Sequence, residues 1–371
     1  MTVKETFSRI DGIISGKRIL CVPIVSSINR ITNEYKLDCD GNINRIVTAF
    51  SHANSFKELT IFLPIDYESK DILNYFLKKN NNKIDLVYTP YFGKHAGEQR
   101  SKPECFERTL KLIENEYIDK YDYIFVESQY LGNALISDGY RDKLIFWNNV
   151  CEIEVDGYIK SRNFMQGYNN LNRNLVRNCA YTICVSPETT EYWKTFILDE
   201  GNSETRILNC PYLIDRDLPY FNYHVDTELK EYVNSVKADG YEIIYLPYRL
   251  TDEGYQMDKV IKFINEYCIV HKVAVFYSDP NDSHYLEKVK IKLNENIKYV
   301  KVSTDRGIYY TLLECTNVII PYFEDIAFVN HASIHEMFNH QANCNIVLDI
   351  SQTIDKLKDY GDIPVNRITW Y

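Results

Sequence analysis

Long apolar runs are missing from this 371-residue sequence. No stretch of about 18 residues is apolar enough to span a bilayer, so no transmembrane helix is expected. The opening residues, Met1-Thr-Val-Lys-Glu-Thr6, lack the basic and then apolar build of a secretion signal, and a cytosolic location is the expectation. No Cys-x-x-Cys pair occurs. The ten cysteines (Cys21, Cys39, Cys105, Cys151, Cys179, Cys184, Cys210, Cys268, Cys315 and Cys344) are scattered, mostly through apolar segments. That distribution suits free core thiols in a reducing compartment better than metal or redox ligands. Neither a Gly-x-Gly-x-x-Gly fingerprint nor a P-loop lysine is present, which sets aside nicotinamide oxidoreductases and P-loop NTPases. Asp38-Cys39-Asp40 has the spacing of a metal-bridging pair but lies in a polar turn, and no obligatory metal is expected.

What is present is an ordinary globular composition, 45% hydrophobic and 25% charged, in a chain long enough for two domains with separate cores. The formal net charge of -10 is unevenly spread. Residues 1–208 carry 26 Lys and Arg against 28 Asp and Glu, and the remainder 16 against 24. A polyanion would therefore meet the first half. Within it, residues 157–187 contain no acidic side chain but include Lys160, Arg162, Arg173 and Arg177 among Tyr158, Phe164, Tyr168 and several asparagines. Basic residues interleaved with aromatics suit duplex DNA, through phosphate contact and base stacking; a solvated helix face is the alternative.

Both halves alternate short apolar runs with helical patterns. In the first, 18–24, 59–64, 84–88, 123–127, 144–148 and 181–185 read as buried parallel strands. Helical periodicity covers 44–52, 69–79, 103–117, 130–137 and 161–178, and Pro187 opens a further helix. Residues 206–215 read as a short extended strand that breaks at a proline, the candidate hinge, with the domain boundary near 212–223. In the second half, strands are expected at 243–247, 273–277, 299–302, 318–321 and 345–349, the last closing the series. Helices are expected at 258–268, 283–294, 309–315 and 331–340. Alternation at this spacing predicts parallel sheets with crossover helices, which take ligands beyond the carboxyl ends of their strands.

Three segments carry chemistry. The strand at 243–247 leads into Tyr248-Arg249-Leu-Thr-Asp-Glu-Gly254, an arginine turn. Ile319-Ile-Pro-Tyr-Phe-Glu324 is followed by a helix bearing His331, His335 and Glu336. The first strand runs into a long polar loop through Glu34, Asp38 and Asp40, and a second polar cluster, Gly93-Lys94-His95-Ala-Gly97-Glu98-Gln-Arg100, follows another strand on the same lobe. In this order the segments resemble glycosyltransferases of the GT-B fold, nearest the retaining bacterial type, with looser similarity to phage DNA base glycosyltransferases in His335-Glu336.

The resemblance implies two Rossmann-like αβα lobes facing each other across a cleft. Their expected limits are 1–212 for the acceptor lobe, 213–223 for a linker and 224–371 for the nucleotide-sugar lobe. It also implies that Arg249 neutralises the donor diphosphate and that Glu336 accepts hydrogen bonds from the ribose hydroxyls. Tyr255, Lys259 and His335 complete the expected donor set. The family's lysine about five residues after the arginine is replaced here by Glu253 and Gly254, and Lys259 is the nearest basic residue. A surface pairing of Arg249 with Asp252 or Glu253 is the alternative. Asp40, Asp38 and Glu34 are the candidates for an acceptor-side base, and His95, a further catalytic candidate, or Arg100 for contact with the acceptor; since no base is singled out, the resemblance leans towards retention. The expected donor is a nucleotide sugar, UDP-linked. The tyrosine-rich composition, the acid-free basic segment and the phage similarity point to a hydroxymethylated base in phage DNA as the acceptor, in a host cytosol. A surface glycan or small molecule is the alternative acceptor; an epimerase of the same fold or a non-catalytic binding module is the alternative function.

Overall fold

The computed structural model describes residues 3–23, 41–64, 76–78, 83–89, 103–148, 154–155, 158–159, 166–184, 187–198, 204–210, 225–249, 257–278, 294–303, 306–320, 345–348 and 368–370. They group into two compact units, the first made of described residues up to 210 and the second of those from 225.

Unit 1 begins with a helix absent from the sequence reading, α1 (Val3–Ile14), which leads into β1 (Arg18–Val22). Then come α2 (Gly41–His52), β2 (Glu58–Pro64), β3 (Lys83–Thr89), α3 (Pro103–Leu112), β4 (Tyr123–Val126), α4 (Gln129–Ser137) and β5 (Leu144–Asn148). The expected helix at 103–117 is α3 continued by a π-helical turn, Ile113–Tyr117. A two-residue hairpin, β6 (Glu154–Val155) with β7 (Tyr158–Ile159), precedes α5 (Gln166–Asn178), β8 (Tyr181–Cys184), α6 (Pro187–Leu198) and β9 (Ile207–Asn209). The seven strands other than the hairpin form one parallel sheet in the order β3-β2-β1-β4-β5-β8-β9. The short strand expected at the start of 206–215 is β9, paired with β8 at the edge of the sheet, while 211–215 lie outside the described residues. Backbone groups of an isolated extended segment would have no partners, and β8 supplies them.

The inner strands of this sheet are largely apolar because helices cover both faces, whereas β3 at its edge is mostly exposed or half-buried. All five residues of β5, Leu144-Ile-Phe-Trp-Asn148, are buried. On one face Leu20, Val22, Ile124, Val126, Leu144 and Phe146 pack with Leu131, Leu135, Leu175 and Val176 of α4 and α5. These helices approach closely at Gly132, where a Cβ would sit 2.6 Å from Leu175 Cδ2 and 3.3 Å from Val126 Cγ2. Asn133 fixes their register, donating to Leu171 O at 3.1 Å and accepting from Asn174 Nδ2 at 2.6 Å.

Unit 2 opens with α7 (Thr227–Ala238), also absent from the sequence reading. Asp226 caps it, its Oδ1 accepting from Leu229 N at 2.9 Å, and Gly240 (φ 82°) ends it in the left-handed conformation glycine tolerates. The unit continues with β10 (Glu242–Arg249), α8 (Met257–Tyr267), β11 (Val273–Ser278), β12 (Lys298–Val302), α9 (Arg306–Cys315), β13 (Val318–Ile319), β14 (Asn345–Leu348) and β15 (Ile368–Trp370). The sheet is parallel throughout, in the order β12-β11-β10-β13-β14-β15. The strand at 345–348 is thus not the last, since β15 pairs outside it. A three-residue edge strand offers too little periodicity to read in sequence.

Strand alternation divides the core of unit 2 in two. Ile244 and Leu246 face Val260, Ile261, Phe263 and Ile264 of α8, and Ile243 and Tyr245 face Val233 and Val236 of α7 and Leu312 of α9. At the amino end of β10, Glu242 accepts from His271 Nδ1 at 2.7 Å and from the hydroxyl of Tyr267, whose ring stacks on His271.

Two outcomes test this packing. Gly132→Val forces methyl groups into Leu175 and Val126, and overpacking of this kind costs about 1–3 kcal/mol, so its melting temperature should fall by several degrees in calorimetry. Burial pushes the Tyr299 phenol from 10.0 up to about 12. A raised folded value favours the neutral ring in the native state, so its contribution is whole below pH about 10 and disappears as pH rises towards about 12. Melting temperature should decline across that window, and less steeply in Tyr299→Phe.

Candidate functional site

In a parallel sheet the loops beyond the carboxyl ends diverge where strand order reverses, leaving a crevice. Unit 2 reverses between β10 and β13, and unit 1 between β1 and β4. The candidate residues are placed by these two edges.

At the unit 2 switch, β13 pairs with β10 only at Ile244 and Tyr245, and Ile320 N adds a bond to Tyr245 O at 3.1 Å. Beyond Leu246 the pairing of β10 with β11 slips, so that Leu246 stands opposite Tyr277 and Arg249 opposite Ser278. Pro247 lies inside this irregularity, where its missing N–H breaks no regular ladder. The sequence reading ended the strand at Pro247 and put Arg249 in a turn. Instead β10 extends to Arg249, which is its last residue, at the carboxyl edge of the sheet beside the switch. The bulge corrects the boundary, because a proline stops a regular strand but not an irregular one.

Helix α8 runs back from this edge. Lys259 is in its first turn and exposed, while Val260, Ile261, Phe263 and Ile264 are buried against the sheet. Arg249 and Lys259 are therefore carried by the same end of unit 2. Tyr255, His335 and Glu336 lie outside the described residues, as do Asp40 and His95 on the other unit.

In the basic segment, Lys160 and Arg162 also lie outside the described residues. Arg173 and Arg177 are on α5, their guanidinium carbons 5.9 and 4.9 Å from the centroid of the Phe196 ring on α6. Arg206 donates to Arg177 O at 2.7 Å and Cys179 O at 3.1 Å, capping the carboxyl end of that helix. The two arginines thus pack on an aromatic ring at the α5 and α6 contact. Arg177 is exposed and Arg173 half-buried.

At the unit 1 switch the structure shows a polar group to which the sequence reading gave no role. Glu127 follows the last residue of β4 and is 4% exposed, the one charged side chain among the buried polar residues described. Ser128 and Gln129 beside it are buried as well, and Ser128 Oγ caps α4 by accepting from Leu131 N at 3.3 Å. Asn148, at the carboxyl end of β5, and Asn172, on α5, are fully buried. A signal was available: Val126-Glu127-Ser128 places a carboxylate between an apolar strand and a helix cap. The strand expected at 123–127 takes Glu127 as its last residue, and β4 stops at Val126.

Among the described residues no group of three or more His, Cys, Asp or Glu has the arrangement of a metal site, and no helix is long and apolar enough to cross a membrane. No family model matches the chain, and no curated protein matches it in sequence. Solved structures do. Anabaena Alr3699/HepE, in complex with UDP and glucose, aligns with 96% of this chain and 85% of its own at a TM-score of 0.58 and 12% identity. Trehalose-6-phosphate synthase OtsA aligns with 90% of this chain and 84% of its own, at 0.58 and 11%. UGT89C1 of Arabidopsis thaliana, complexed with UDP, aligns with 90% and 80%, at 0.50 and 13%. The architecture of the chain, two Rossmann-like α/β lobes, is the GT-B fold.

Proposed function

We propose that this protein transfers a glycosyl group from a UDP-linked sugar to an acceptor hydroxyl, with unit 2 taking the nucleotide and unit 1 the acceptor. The observation that carries the reading is the likeness in fold to HepE, which covers 96% of the chain and whose structure holds UDP and glucose. Arg249 adds support, because the switch point of a sheet with this strand order is where a diphosphate is held. Its guanidinium, the amino-terminal turn of α8 and Lys259 in that turn are the positive groups available to the departing UDP. Glu336 accepts from the ribose hydroxyls, with His335 and Tyr255 beside the donor, and Asp40 and His95 belong to the acceptor side. The lobes are taken as 1–212 and 224–371, joined by 213–223.

For the acceptor we propose a hydroxymethylated base in phage DNA, in the host cytosol. The acid-free segment 157–187 favours it, with Lys160, Arg162, Arg173 and Arg177 meeting phosphates and the target base turned out of the duplex. Incubation of the protein with UDP-sugars and either hydroxymethylated duplex or a glycan panel, followed by mass spectrometry, tests both parts. A mass increase of one sugar on the DNA is expected. Increase on a glycan alone replaces the acceptor, and isomerised donor without any transfer would mark an epimerase and end the reading. Arg249→Ala should weaken UDP binding about tenfold or more by calorimetry, as loss of charge-assisted hydrogen bonds does. Unchanged affinity would put the diphosphate elsewhere.

A further inference from the structure

We infer that unit 1 binds a neutral sugar along a row of uncharged polar side chains at the carboxyl edge of its sheet, with Asn172 and Asn209 as the residues that hold it. The site needs unit 1 alone, so it goes beyond the glycosyl-transfer reading and does not depend on it.

The strand registers lay out the row. Val126 of β4 stands opposite Phe146 of β5, Asn148 of β5 opposite Cys184 of β8, and Cys184 opposite Asn209 of β9. Val126, Phe146, Cys184 and Ile207 all belong to the core on the face covered by α4, α5 and α6. Side chains two residues apart along a strand share a face, so Asn148 follows Phe146 onto it and Asn209 follows Ile207. Asn148, Cys184 and Asn209 are therefore neighbours on one face, about 4.8 Å from strand to strand. The row crosses β5, β8 and β9, away from the switch between β1 and β4.

Helix α5 lies over this row. It runs from the carboxyl edge of the sheet towards the amino edge, and its Leu175 approaches Val126 at Gly132. Asn172, one turn nearer the carboxyl edge, thus comes level with Asn148. Asn172 is 0% exposed, and among the described residues neither its Nδ2 nor its Oδ1 has a hydrogen-bond partner. The Oδ1 of Asn209 is likewise buried without a partner among them. Asn209 as a whole is only half-buried and β9 is the edge strand, so the row reaches the surface there.

Buried polar atoms in folded proteins are nearly always hydrogen-bonded, and these amide atoms call for a ligand that completes them. An amide donates and accepts at once, as a sugar hydroxyl does. Among the described residues no charged side chain belongs to the row, so an ion placed there would lie out of water without a counter-charge. A neutral, polyhydroxylated ring meets both conditions.

The test titrates the full-length protein by calorimetry with glucose, galactose, mannose and N-acetylglucosamine. At least one should bind to wild type. Asn172→Leu should weaken that binding about tenfold or more and Asn209→Ala about threefold or more, as loss of buried hydrogen bonds does. Asn172→Leu should also melt no lower than wild type, because leucine leaves no amide unpaired, and UDP affinity should stay within about twofold in both variants. Wild type that binds none of the four sugars, or Asn172→Leu that binds as wild type does, overturns the inference. So does a lower melting temperature in Asn172→Leu, which would mean that the amide serves the fold. Should that variant fail to fold, unchanged sugar affinity in Asn209→Ala overturns the site on its own. Wild type that binds a sugar but no UDP would leave this site standing and end the glycosyl-transfer reading instead.

Discussion

Parallel pairing of every strand in both large sheets is the constraint from which the rest of the structure follows. A parallel strand cannot return through a tight turn, so the chain crosses back over a face of the sheet between neighbours, and the crossovers cover both faces with helices. The strands must then be apolar on both sides, as the fully buried β5 is, and polar groups collect at the strand ends. Reversal of strand order, between β1 and β4 and again between β10 and β13, sends successive crossovers to opposite faces and leaves the carboxyl edge open at one place in each unit.

The helix layer must fit this frame closely. At Gly132 no side chain separates α4 from Leu175, and Asn133 and Asn174 lock the pair through side-chain and backbone bonds. Fixing α4 also fixes the cap at Ser128 and, one residue earlier, the carboxylate of Glu127. In unit 2 the corresponding device is the slip in β10 around Pro247, which carries Arg249 to the sheet edge although a regular strand would have ended earlier. Among the described residues, backbone geometry thus brings Glu127 to the switch of unit 1 and Arg249 to that of unit 2.

Much of the fold was legible because buried parallel strands are short, apolar and bounded by polar residues. The runs at 59–64, 84–88, 144–148 and 273–277 each match a strand to within a residue or two. The periodic helix at 258–268 matches α8, whose buried face follows the expected spacing. Misses have definite causes. β15, three residues long, has no periodicity to read, and α1 and α7 are short amphipathic helices outside the regular strand and helix alternation. Of the expected site, Arg249 and Lys259 are placed at one end of unit 2, whereas Asp40, His95, Tyr255, His335 and Glu336 lie outside the described residues.

By itself the sequence determined the alternation of strands and helices and the separation into two α/β halves, because burial period and residue chemistry are local properties. Tertiary structure decided the strand order, and with it where the switches fall, since order depends on which strands pair across tens of residues. It also decided that Glu127 is buried. A glutamate at the end of an apolar run carries no local mark of its burial, which follows from the neighbouring strands and helices packed around it.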